Sequence, residues 1–482
     1  MLLDLITFDR QSDVPLFEQL SFQLIGMIKD GTLKAGYQLP GSRVMASTFQ
    51  IHRKTVVAAI DELTTQGWLS TVPGKGTYVQ ENIELSTVQP LADFKSTEHF
   101  AEAPRLKAPL TRGLSLATQR LHLDDGLPDP RLAPVKELAR AYKSSLTQGN
   151  LYTKYGYSDT KGSSRLRQIL AEYLNKTRGM QVGVEQILIT RGVTQALYLC
   201  IQGFLSSGDQ VAVGELNWES ANANFIYHGV KPVKIKVDAE GLDTDHLEEV
   251  LQSSQIKMLY LTPHHQYPTT VIMPAHRRLK VIQLARQYGV YVFEDDYDYD
   301  FHFANRPIMP LASAEHGDFV LYTGSFTKAI SPVFRVGYLV ASEAQIDYLS
   351  RIRRMVDRQG DTLLELAIAE LLDLGILQRS LRKNRRIYQQ RRDFFCELLT
   401  DQLGNYLNFE LPAGGMSVWT HFEPSVNLSL LARRAAKQDL YIQPPSHSDE
   451  EGNLLNAIRM GYASSTFEEL EQSVGILNAL LK

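Results

Sequence analysis

The run Thr323-Gly324-Ser325-Phe326-Thr327-Lys328, with Arg335 seven residues further on, sets an amine beside hydroxyls and a guanidinium. A lone lysine is ordinarily a solvated surface residue, but this one follows an apolar, strand-like segment. A lysine that forms a Schiff base must be desolvated enough to be neutral part of the time, so that it can attack an aldehyde. A phosphate held beside it needs hydroxyl donors and a guanidinium, which Ser325, Thr327 and Arg335 could supply. Upstream, Val292-Phe293-Glu294-Asp295-Asp296-Tyr297-Asp298 is an apolar run ending in carboxylates. A pyridoxal phosphate ring works as an electron sink only if its nitrogen stays protonated, which needs a carboxylate fixed against it. Asp295 is the choice for that place, since Asp296 would point the other way if the strand persists. Tyr297 can bond the ring oxygen. An acidic loop or a metal site is the competing reading of 294–300, although no histidines stand nearby at matching ligand spacing.

Two weaker pieces add to this set. Thr190-Arg191-Gly192-Val193-Thr194 reads as a strand-to-helix transition, where backbone amides around Val193 and Thr194 can cradle a phosphate. Trp218 follows another strand and could stack on a pyridine ring, though a single tryptophan is more often core. The elements that must position these residues run from Arg120 to the end. Strand-like segments at Gln186–Thr190, Gln210–Val213, Lys257–Thr262, Val290–Glu294, Phe319–Tyr322 and Gly337–Val340 alternate with amphipathic helices. That alternation predicts an α/β domain with a largely parallel sheet covered on both faces. An aspartate at the carboxyl end of such a strand is well placed for a ligand.

The amino-terminal part is different in kind. Leu16, Leu20, Leu24 and Ile28 recur at helical spacing. Ser42 can cap a short helix over Arg43–Phe49, and after the turn Gln50-Ile51-His52 a second helix runs from Arg53 to about Gln66. Two short helices joined by a tight turn can present one of them to a major groove. Trp68–Val72 and Gly76–Val79 flank Pro73-Gly74-Lys75 as a hairpin readable as a wing. A module serving only packing or dimerisation is the alternative, and few more basic than acidic residues in 14–79 speak for it. The clustering of Arg43, Arg53, Lys54 and Lys75 at turns and tip speaks for DNA, because cations at a helix start reach phosphates or guanine edges.

With 482 residues, the chain exceeds what one core usually supports. The expected organisation is a winged helix-turn-helix over 1–80, a Pro-punctuated linker over 81–119 and an effector domain over 120–482. A net charge of -4 means that any DNA-binding surface must be local. Only Cys200 and Cys396 are present, which excludes a multi-cysteine zinc site and suits a reducing compartment. No basic-then-apolar leader and no membrane-length apolar run are visible, so a cytoplasmic location is expected, with no membrane partner and no metal. The Arg-rich stretches 351–358 and 379–392 read as a solvated helix face or as an auxiliary phosphate-binding surface.

Two resemblances follow from these motifs. Pro15, Leu39-Pro40-Gly41-Ser42-Arg43, His52-Arg53-Lys54-Thr55-Val56 and Gly74-Lys75-Gly76-Thr77-Tyr78-Val79 resemble the GntR family of winged-helix repressors. The resemblance implies DNA contacts from Arg43, Arg53, Lys54 and Thr55, with Gly74 and Lys75 at the wing. From about Arg120 onward the chain resembles a fold-type-I aminotransferase, through His122–Asp129, Tyr155-Gly156-Tyr157, Thr262–Pro268, Glu294–Tyr297 and Ser325–Lys328. Together they resemble the MocR subfamily of GntR regulators.

That likeness implies pyridoxal 5'-phosphate held as an aldimine by Lys328, with Asp295 on the pyridinium nitrogen. It implies Tyr297 and Gln266 near the ring hydroxyl, Trp218 against the ring, and Arg335, Ser325 and Thr194 on the phosphate, beside Val193 and Thr327. Arg459, in Ile458-Arg459-Met460-Gly461-Tyr462, matches the arginine that receives a substrate carboxylate. The implied function is a regulator, expected to be a homodimer on operator DNA, that responds to an amino compound by aldimine exchange at Lys328. The alternative is an active aminotransferase with an accessory DNA-binding module. Thr270, Asn217 and Ser220 depart from the subfamily pattern. Ser220 supplies no second cation, so a monoacid effector is expected ahead of a dicarboxylate.

Overall fold

The computed structural model describes residues 5–81, 108–110, 117–303, 308–314, 318–448 and 453–482, and the chain divides into two units, Met1–Arg105 and Leu106–Lys482. The linker expected over 81–119 lies mostly outside the described residues.

In the first unit, apolar residues at helical spacing close a small core. Helix α1 (Leu16–Lys29) buries Leu20, Leu24 and Ile28, α2 (Ser42–Phe49) buries Met45 and Phe49, and α3 (Arg53–Thr65) buries Val56, Ala59, Ile60 and Leu63. Gln50 takes a left-handed conformation, φ 51°, and ends α2. The cap expected at Ser42 falls one residue earlier. Gly41 is the N-cap, and Ser42 is the first helical residue, with its hydroxyl accepting a bond from Arg53. Strand β1 (Gln38–Leu39) joins β2 (Leu69–Val72) and β3 (Gly76–Val79) in an antiparallel sheet of order β1-β3-β2. The hairpin tip turns on Gly74, φ 75°, a conformation that L side chains rarely adopt.

The second unit is built on a seven-stranded sheet. Its strands are β4 (Ile187–Thr190), β5 (Gln210–Gly214), β6 (Lys231–Ile235), β7 (Ile256–Leu261), β8 (Tyr291–Asp296), β9 (Val320–Ser325) and β10 (Gly337–Val340). Their order is β4-β10-β9-β8-β7-β5-β6, and only β10 runs antiparallel to its neighbours. Strand β6 has no counterpart in the sequence reading, because Lys231, Pro232 and Lys234 break its apolar pattern. It is an edge strand, where a proline costs no ladder bond.

Alternation along the strands separates two cores. Phe293 on β8 packs with Tyr260, Leu321 and helix α4 (Val193–Phe204) on one face, while Val292 packs with Leu259, Val320 and Tyr322 on the other. A smaller antiparallel sheet holds Ser417–Phe422 against Ala457–Gly461, opposing Trp419 to Arg459. The strand Leu121–Leu123 pairs with Leu440–Ile442 and delivers the turn at Asp124–Leu127.

Helix α5 (Ile376–Leu403) carries most of the Arg-rich segment. Three arginines of the expected basic surface are buried. Arg353 donates to the Thr160 carbonyl, Arg391 pairs with Asp129 at 2.9 Å, and Arg392 donates to the Pro412 carbonyl at 2.7 Å. Arg379, Arg382, Lys383 and Arg386 are exposed. Among the described residues no helix is long and apolar enough to cross a membrane.

Candidate functional site

The parallel strands open at their carboxyl ends into a cavity of 180 Å³, and Lys328 and Asp295 both line it. Lys328 follows β9, and its Nζ donates to the Gly126 carbonyl. Burial lowers the Lys328 pKa, and the nearby Asp125 carboxylate opposes that shift. The balance favours the neutral amine more than at a solvated lysine. Asp295 is the penultimate residue of β8. Its Oδ2 accepts a hydrogen bond from the Tyr260 hydroxyl at 2.6 Å, and its Oδ1 is buried without a hydrogen-bond partner. Burial raises the Asp295 carboxyl to about 7, the Tyr260 bond holds it down, and Asp296 and Asp298 push it up again. A carboxylate oxygen without a partner, on a residue of the cavity wall, fits an N–H cation of a ring, because a buried acceptor left unpaired costs free energy. The residues therefore fit pyridoxal phosphate at this end.

The opposite end is built from loops. Val193 and Thr194 start α4 and line the cavity with Ser325, Thr327 and Arg335. Gly192 precedes them at φ 83°, and Arg335, itself left-handed at φ 48°, donates from Nη2 to the Arg191 carbonyl at 2.8 Å. The Ser325 hydroxyl donates to Thr327 Oγ1 at 2.7 Å and accepts from the Thr327 amide at 3.1 Å. A helix start, two hydroxyls and a guanidinium make a phosphate seat. Trp218, the N-cap of the helix Glu219–Tyr227, is on the same wall.

Arg459 enters from the small sheet. Its Nε bonds the Ser417 hydroxyl and lies 3.2 Å from Asp125 Oδ1, while Nη1 and Nη2 each donate to the Tyr297 hydroxyl at 3.3 Å. Tyr297 in turn donates to the His265 carbonyl at 3.0 Å. Tyr267, whose ring lies 4.9 Å from the Arg459 guanidinium carbon, donates its hydroxyl to Asp125 Oδ2 at 2.9 Å. Arg459 thus already carries a carboxylate partner.

Gln266, expected near the ring hydroxyl, sits beside the loop that leads to Trp218. It is buried, and it is absent from the cavity wall. Its amide donates to the Leu216 and Tyr267 carbonyls, both at 3.2 Å, so it braces the loop leading to Trp218. Tyr260, Asp125 and Tyr267 are wall residues that the sequence reading did not select. Asp125 and Tyr267 stand inside recognised motifs, which was the available signal; Tyr260 sits in an apolar strand with none.

In the amino-terminal unit, His52 caps α3 by accepting from the Lys54 amide at 3.1 Å. Arg53 Nε donates to Ser42 Oγ at 3.2 Å, which ties the starts of α2 and α3 together. Arg43, Arg53 and Lys54 are exposed there, and Thr55 is half-buried. Gly74 and Lys75 are exposed at the hairpin tip, which Gln38 fixes by donating to the Lys75 carbonyl at 2.8 Å.

Comparison with known proteins agrees with both halves. Residues 126–477 match the family described as aminotransferase class I and II, and residues 16–79 match the bacterial regulatory proteins of the gntR family. The chain is 27% identical to a probable rhizopine catabolism regulatory protein, MocR, of Rhizobium meliloti, over 98% of this chain and 95% of the relative. It is 31% identical to the 2-aminoadipate transaminase of Thermus thermophilus, over 79% and 95%. The solved structure of α-aminoadipate aminotransferase LysN from Thermus thermophilus, complexed with N-(5'-phosphopyridoxyl)-L-leucine, superposes with a TM-score of 0.69 at 29% identity. It covers 75% of this chain and 92% of its own. The chain belongs to the aminotransferase class I and II family, and its fused GntR helix-turn-helix makes it a transcription regulator of the MocR type.

Proposed function

We propose that this regulator binds pyridoxal 5'-phosphate, and that an amino compound is sensed by exchanging its amine for that of Lys328. The observation that carries this reading is that Lys328 and Asp295, whose Oδ1 has no hydrogen-bond partner, line one cavity. When bound, the cofactor supplies an electrophilic carbon to which a primary amine can join. Lys328 holds that carbon through Nζ, and Asp295 Oδ1 accepts the ring N–H. Trp218 lies against the ring, and Tyr297 orients its oxygen. Val193, Thr194, Ser325, Thr327 and Arg335 hold the phosphate. Arg459 meets the remainder of the incoming compound.

In the amino-terminal unit, Arg43, Arg53, Lys54 and Thr55 contact operator DNA, with Gly74 and Lys75 at the wing. The protein acts as a cytoplasmic homodimer. The compound acts on DNA binding only through its different affinity for two arrangements of the protein. A second reading, an active aminotransferase with an accessory DNA-binding module, is favoured by the same Lys328 and Asp295 pair, since turnover needs both. Exposed cations at the start of α3 favour regulation, because transamination has no use for them.

Borohydride reduction tests the shared core. The protein should carry the reduced cofactor on Lys328, and Lys328→Ala should carry none while remaining folded. A native protein that takes up no pyridoxal phosphate overturns the proposal.

A further inference from the structure

Asp125 stands on the cavity wall beside Arg459. Its Oδ1 lies 3.2 Å from Arg459 Nε, and its Oδ2 accepts the Tyr267 hydroxyl at 2.9 Å. The turn that presents it is pinned on both sides. Asp124 Oδ1 accepts from the Leu127 amide at 2.7 Å, Asp124 Oδ2 accepts from Ser464 Oγ at 2.8 Å, and the Gly461 amide donates to the Asp124 carbonyl. The carboxylate is therefore held in place rather than resting there. Arg459 is almost wholly buried and needs a counter-ion, because an unpaired buried charge is costly. Asp125 supplies that counter-ion from within the chain.

Two consequences follow for any molecule entering the cavity. A ligand carboxylate would meet a guanidinium already neutralised and a fixed negative charge beside it, and like charges at such range are strongly disfavoured. A ligand donor would meet the reverse. Arg459 gives its Nε–H to Ser417, so the buried Asp125 Oδ1 is paired by charge but accepts no hydrogen bond, and Asp125 lines the cavity. An N–H or O–H group on the ligand would satisfy it. Resting on the proposed amine-sensing function, we infer that Asp125 sets the effector class: it disfavours amines that carry a carboxylate and favours amines whose second polar group is a hydrogen-bond donor. The monoacid effector expected from Arg459 alone is replaced by this class.

The test uses the full-length, cofactor-loaded protein and matched ligands. Alanine and ethylamine differ by a carboxylate, and 2-aminoethanol adds a donor to ethylamine. Half-saturation read by cofactor absorbance should follow 2-aminoethanol, ethylamine, alanine, from lowest to highest. Asp125→Asn should shift the alanine-to-ethylamine ratio about ten-fold toward alanine. Propionate, which has no amine, should be taken up measurably by Asp125→Asn in calorimetry and not by the native protein. Asp125→Ser, which also removes the charge, should move the ratio the same way, and it carries the test if Asp125→Asn misfolds. A folded variant with neither the ratio nor propionate uptake changed overturns the Asp125 assignment. If no amine shifts the absorbance of either protein, the amine-sensing function fails instead, and propionate calorimetry still decides the role of Asp125.

Discussion

Asp295 and Asp296 are adjacent in the chain and bond tyrosines on opposite faces of the central sheet. Asp295 accepts from Tyr260 at 2.6 Å on the cavity side, and Asp296 accepts from Tyr322 at 2.6 Å on the other. The two-residue period of the strand puts one carboxylate in the site and the other in the core behind it.

Two substitutions separate them. Asp295→Asn should weaken cofactor binding by about 1.5–3 kcal/mol, the worth of a hydrogen bond to a charged group. Asp296→Asn should leave cofactor affinity within about two-fold, since it faces the other core. Equilibrium titration of the cofactor-free variants measures both. Equal losses would place the pyridine ring elsewhere.

The same cluster gives a pH signature. Burial raises Glu294 and Asp295 to about 7 and Asp296 to about 6. The folded chain therefore holds protons that the unfolded chain releases near pH 4. Their contribution to stability is complete below that pH and is lost as pH rises toward 7. In cofactor-free protein, Asp295→Asn removes one such group. Its stability relative to the native chain should rise by about 1–3 kcal/mol between pH 5 and 7.5. A difference that is flat with pH in chemical denaturation would contradict the raised carboxyl.

Gly337 has no room for a side chain. A Cβ there would lie 2.7 Å from Gly192 Cα and 2.9 Å from the Gly324 carbonyl oxygen. Gly337→Ala must therefore displace the backbone before α4, at a cost of about 1–3 kcal/mol in stability. Phosphate binding should weaken with it. Calorimetric titration with pyridoxal phosphate should show a loss of about ten-fold, and unchanged affinity would detach the α4 start from the phosphate.

For DNA, Arg53→Ala and Lys54→Ala should each weaken operator binding by about 1–3 kcal/mol at fixed salt. Arg53→Ala also removes the bond to Ser42. Thermal melting of each variant therefore accompanies the binding assay. Full affinity in both variants would move the DNA-contacting surface off the α3 start.

How much was legible depends on how far apart the partners lie in the chain. Lys328, Asp295 and Arg335 stand in short motifs at strand ends, where residue type and alternation suffice. Tyr260 gains its role only from the parallel pairing of β7 with β8, which no local pattern reveals. Asp125 and Arg459 meet through separate sheets. The motif around Gln266 does not reveal that its amide donates to the Leu216 and Tyr267 carbonyls. Arg353, Arg391 and Arg392 read as surface cations because type alone does not tell which helix face packs inward. The antiparallel β10 among parallel neighbours likewise depends on the connection after β9.

The most direct test is a joint titration. Full-length protein loaded with pyridoxal phosphate, and a DNA duplex selected by it from random sequence, are titrated with 2-aminoethanol while cofactor absorbance and DNA affinity are read together. The account predicts that both change over the same concentration range, and that Lys328→Ala loses both responses while keeping basal DNA affinity through the separate amino-terminal unit. DNA affinity that stays constant while absorbance shifts, or that shifts equally in Lys328→Ala, would contradict sensing through Lys328.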